Sequence, residues 1–190
     1  GYPFRVRVDV EYRVGAEGLA QTVTGTNVGA DPAPWGAGPH PYLVAGEGNV
    51  DEWTLTLPAS EVLTVTEDRL IPLAVEHIDA HPEFDFRAPR VIEGTFIDHA
   101  FTRLERTDGS ARVTVAVTVA DGTGVAMTWD DTCPWVQIHT ADTPDVPATH
   151  RIGLAVEPMT CPPDAFTSGV DLIVLAPGAS HSAGWTISAV

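Results

Sequence analysis

The chain has 190 residues, 44% of them hydrophobic and 19% charged, which suffices for one globular domain spanning 1–190 with a core of its own. Asp and Glu total 26 against 10 basic residues, and the formal charge of −16 at pH 7 would repel a phosphate backbone, which argues against nucleic acid as a partner. No apolar run is long enough to span a bilayer, and the first residues alternate instead of forming a signal-peptide core, so a soluble, cytoplasmic protein without a membrane partner is expected.

The sequence opens on Gly1 and enters a strand pattern within a few residues, as though in mid-domain. Residues 4–12 (FRVRVDVEY) alternate apolar with polar side chains, which predicts a strand with one face on a core and the other in water. Residues 19–28 are rich in Thr and Val, and the intervening GAEG at 15–18 supplies turn chemistry, so the two segments read as a hairpin. Residues 112–119 and 125–129, joined by DGTG, repeat the design more clearly. Further strands are expected over 53–57, 61–65, 135–140, 153–157, 171–175 and 180–188, while 16 Pro and 17 Gly interrupt anything that would grow into a long helix. The predicted fold class is all-β, an antiparallel β-sandwich or barrel-like sheet pair. Loops at 30–39 and 77–90 carry Pro, Gly, Asp and aromatic residues, the composition in which binding groups usually sit.

Two segments stand out chemically. In WGAGPHPY (35–42), His40 is fixed between two prolines beside aromatic residues able to stack on a sugar. An imidazole titrates near neutrality, so one held rigidly suits general acid or base work. In GLAVEPMTCPPDAF (153–166), an apolar strand is expected to end at the sheet rim in Glu157, locked by Pro158; burial there would raise its pKa and strengthen it as a base. Each segment alone also has a plain reading, a hydrogen-bonded turn His and a solvated carboxylate.

Other features carry less. His77 and His81 with Glu76, Asp79 and Glu83 have a spacing that binds metal chiefly on a helix, and Pro82 argues for a solvated loop, so no metal is expected. Cys133 and Cys161 are too few for a disulfide framework and read as free or buried thiols. Trp129 and Trp135 read as sheet core, Asp130 and Asp131 as an acidic turn, and His99, His139, His150 and His181 as surface or core residues.

Taken together, GPHPY, FDFR, IDHAF, WVQIHT and AVEPMTCPPDAF followed by VLAPG stand in an order that resembles the aldose 1-epimerase (galactose mutarotase) superfamily from about Arg5 to the C-terminus. The resemblance implies a mutarotase-type β-sandwich, a supersandwich without its N-terminal strands, that interconverts the α and β anomers of an aldose. It implies His40 as general acid, Glu157 as general base, and Asp98 and Gln137 as ligands of substrate hydroxyls, with a small-molecule sugar as the partner and no cofactor. The family's Asn-Arg pair and a further His have no counterpart in the sequence, and Leu43 stands where Phe is more usual. A hexose-6-phosphate 1-epimerase and a non-catalytic sugar-binding module remain the alternatives; Arg87 and Arg90 in the cleft of Glu157 would favour the phosphate. The sequence sets no oligomeric state. The whole reading requires His40 and Glu157, expected on rim loops, to face opposite sides of one pyranose-sized hollow.

Overall fold

A computed structural model describes residues 1–106 and 111–190. In chain order the strands are β1 (Val6–Gly15), β2 (Gly18–Asn27), β3 (Ala33–Trp35), β4 (Tyr42–Leu43), β5 (Thr54–Thr56), β6 (Ala59–Val65), β7 (Pro72–His77), β8 (Arg90–Val91), β9 (Asp98–Leu104), β10 (Val113–Thr118), β11 (Gly124–Trp129), β12 (Trp135–His139), β13 (Leu154–Met159), β14 (Ile173–Leu175) and β15 (Ser180–Ala189). One short helix, α1 (Ala165–Ser168), lies between β13 and β14. A seven-stranded sheet runs β1-β2-β15-β11-β10-β5-β8 and a six-stranded sheet runs β4-β13-β12-β9-β6-β7, with β14 and β3 paired separately. Every pairing among the described residues is antiparallel, as the alternating patterns require.

The core lies between the two large sheets. Leu55, Val113, Val115, Met127, Trp129 and Trp185 come from one, and Val62, Phe101, Val136, Ile138, Leu154 and Val156 from the other, all but completely buried. Strand period decides what is left over: with Val136 and Ile138 pointing inward, Trp135, Gln137 and His139 must point to the opposite face of the six-stranded sheet. That outer face is not bare, because Leu63, Ala100 and Trp135 form a second small apolar cluster there with Met159 packed against it.

Both predicted hairpins form, in the register their turns dictate. Two local expectations fail. The alternation in β1 is real, yet its apolar side is not on a core: Val10 is 48% and Val14 82% exposed, because the opposing sheet gives out before it reaches β1. Nor does Glu157 close its strand at a rim, since β13 continues through Pro158 to Met159 and Glu157 pairs with Gln137 inside the sheet. Proline is tolerated there because the N–H groups on that side of the strand face residues 37–41, to which Val156 and Thr160 donate, and not the ladder with β12.

Candidate active site

His40 reaches the outer face of the six-stranded sheet on a strap, residues 36–41, laid along the free edge of β13. Val156 N–H donates to Pro41 O (3.3 Å), Thr160 N–H to Ala37 O (2.9 Å), and Ala37 N–H to Thr160 Oγ1 (2.9 Å). The strap lies so close that a Cβ on Gly36 would sit 2.6 Å from Cys161 Sγ. Its ends are pinned by Trp35 opposite Ile173 and by Tyr42 opposite Ala155, and the prolines on either side of His40 stiffen what lies between. Trp35, expected beside the sugar, instead lies flat on Gly25 of β2, while Tyr42 stays next to His40 with ring centroids 4.9 Å apart.

His40 Nε2 stands 3.3 Å from Glu157 Oε1. The two segments therefore meet, side by side and not across a hollow. The His40 side chain is 54% exposed and that of Glu157 14%. Burial pushes the Glu157 carboxyl up to about 6; the neighbouring His40 opposes the shift and the Asp98 charge adds to it.

Asp98 and Gln137 also come together, Gln137 Nε2 donating to Asp98 Oδ1 at 2.7 Å. Register explains the grouping: Glu157 pairs with Gln137, and His139, two residues along the same strand, pairs with Asp98 and Ala155, the latter opposite Tyr42. The four residues implied by the resemblance thus share one sheet face with Tyr42 and His139. The sequence reading missed His139; the signal it offered was the two-residue spacing from Gln137 on a strand, which puts both side chains on one face.

Arg87 and Arg90 are engaged within their own loop. Arg87 pairs with Asp79 and Asp85, both at 2.7 Å, and Arg90 donates to the carbonyls of Pro82 and Glu83 while its guanidinium stacks over Phe86. Trp129 and Trp135 are both buried core as expected, Trp135 in the smaller cluster on the outer face, where its indole N–H donates to Asp171 Oδ2 at 2.7 Å. His81 pairs with Glu76 (2.6 Å) and His77 with Asp79 (3.3 Å), on a strand end and two 3-10 turns. No described helix is long and apolar enough to cross a membrane.

Solved structures share this architecture over nearly the whole chain. A GalM/aldose epimerase homologue from C. elegans superposes with a TM-score of 0.84 at 19% identity, covering 100% of this chain and 61% of that one. Galactose 1-epimerase from Lactobacillus acidophilus does so with a TM-score of 0.72 at 16% identity, covering 99% and 58%. The fold is thus an antiparallel sandwich of the galactose mutarotase type. The aldose 1-epimerase family model matches residues 1–188, and the chain belongs to that family. Among individual proteins it is 35% identical over 182 residues to the uncharacterized protein YihR of Escherichia coli K12, covering 95% of this chain and 55% of that relative. The chain therefore spans little more than half the length of the proteins it matches.

Proposed function

We propose that this protein is an aldose 1-epimerase that interconverts the anomers of a neutral sugar by acid–base opening and closure of the hemiacetal. Opening requires that the C1 hydroxyl lose a proton while the ring oxygen gains one. These two oxygens are bonded to the same carbon, so acid and base must present their tips side by side, and the 3.3 Å contact between His40 Nε2 and Glu157 Oε1 is the observation that carries the reading. Glu157, its carboxyl raised to about 6, is a stronger base than an ordinary carboxylate yet ionised at neutral pH. It takes the C1 hydroxyl proton while His40, as imidazolium, protonates the ring oxygen. Rotation about the C1–C2 bond presents the other aldehyde face, and closure returns both protons.

Asp98 and Gln137 hold hydroxyls elsewhere on the ring, with their mutual hydrogen bond orienting both. The phosphate alternative loses its main support, since Arg87 and Arg90 are spent on their own loop.

The test is polarimetry on fresh α-D-glucose and α-D-galactose. The wild-type protein is expected to speed the drift to equilibrium, and Glu157→Gln and His40→Ala each to slow it by roughly 10²–10⁴-fold, the usual worth of a positioned acid or base. A Glu157→Gln protein with a near-normal rate would overturn the mechanism. Sugar binding without turnover in the wild type would instead identify a binding module.

A further inference from the structure

Two buried polar atoms on the site face lack partners. Gln137 Oε1 and His139 Nδ1 are both out of water and make no hydrogen bond. They come from the same strand two residues apart and flank one carboxylate: Asp98 takes the Gln137 amide on Oδ1 at 2.7 Å and faces His139 Nδ1 with Oδ2 at 3.6 Å. Asp98 is the acceptor that faces Nδ1, and the tautomer with its proton on Nδ1 leaves Nε2 as an acceptor. The His139 ring is only partly covered, and it meets His40 and Tyr42 edge-on, with centroids 6.4 and 6.5 Å away.

Distance within the sheet limits what His139 can touch. Glu157 is directly opposite Gln137, so His139 is its diagonal neighbour, about 7–8 Å away across an antiparallel pair. At that separation long side chains still reach toward each other, so the two can contact one pyranose together. Resting on the aldose reading above, we infer that His139 is a specificity-determining residue: facing Asp98 with Nδ1, it accepts a hydrogen bond through Nε2 from a hydroxyl of the sugar ring. The contact is selective because a sugar that lacks or inverts that hydroxyl leaves the imidazole unmet.

The experiment crosses enzyme and substrate changes. His139→Phe keeps the ring volume and removes both nitrogens. Its mutarotation kinetics are measured on α-D-glucose, on α-D-galactose and on their 2-, 3-, 4- and 6-deoxy analogues. For the parent sugars the variant is expected to lose about tenfold in kcat/KM, mainly through KM, the worth of one hydrogen bond. For one of the deoxy analogues, wild type and variant are expected to coincide, since the hydroxyl that His139 holds is already gone. His139→Gln, which keeps an acceptor on the side chain, is expected to recover most of the loss, and it carries the same comparison if the Phe variant does not fold.

An equal loss on every analogue, or no loss on any sugar, overturns the assignment while leaving His40 and Glu157 in place. A wild-type protein that neither turns over nor binds these sugars overturns the aldose reading and this inference with it.

Discussion

Glu157 holds its proton more tightly in the folded chain than an exposed carboxyl does, at about 6 against 4.5. With the folded value raised, its contribution to stability is fully present below the unfolded pKa and is lost as pH rises through 6. We predict that Glu157→Gln, which removes the ionisation, is more stable than wild type by about 1–2 kcal/mol at pH 8 and equal to it near pH 4. Urea titrations at the two pH values measure this, and a variant less stable at pH 8 would show that the carboxylate is not strained by burial. On the proposed mechanism the same ionisation shapes catalysis, with kcat/KM rising with pH through about 6 as Glu157 loses its proton. Much of this was legible from the sequence, because His40 and Glu157 each sit against prolines that fix their local backbone. Their contact was not, since it depends on the strap lying along β13, nor was the place of His139 on the same face, which depends on register between strands far apart in the chain.

Among the elements, the strap that carries His40 depends on a packing contact remote from it. Trp35, at the strap's start, rests on Gly25 so closely that a Cβ there would lie 2.5 Å from the indole Cε2. Gly25→Ala should push the ring away at a cost of about 1–3 kcal/mol and, on the proposed function, lower the mutarotation rate with it, because the strap moves. A melt and a rate assay on this variant check both; a wild-type melting temperature would show that the ring does not lean on Gly25.

Arg151 plays a comparable part for the loops at the other end of the sheet. It is 4% exposed and has φ +55°, and its guanidinium binds Asp51 and Asp142 at 2.8 Å together with the carbonyls of Glu93 and Thr95. Arg151→Met would leave Asp142 without its cation, at an expected cost of about 3–5 kcal/mol by denaturant titration. Strand positions were readable from alternation, whereas this cluster was not: its members lie up to 100 residues apart and none is marked by spacing.

On the scale of the whole molecule, the two sheets differ in width, and burial follows the overlap rather than the sequence pattern. One row across the larger sheet shows it: Val115, Met127, Ile187, Leu19 and Val14 are successive partners on β10, β11, β15, β2 and β1. Met127 is wholly buried, Leu19 is 38% exposed and Val14 82%, so an apolar side chain loses its cover as the row passes the edge of the second layer. The polar side of β1 carries Arg7, Asp9, Glu11 and Arg13 in two neighbouring ion pairs. Because stability follows burial, the two ends of the row should respond differently to the same truncation. Met127→Ala should cost about 2–5 kcal/mol as a core cavity, while Val14→Ala should stay within about 0.5 kcal/mol of wild type. Both are read from chemical denaturation of the isolated chain. A Val14→Ala loss above about 1 kcal/mol would mean that this face of β1 is covered in solution, and that the sequence's alternation reports a true interior position there.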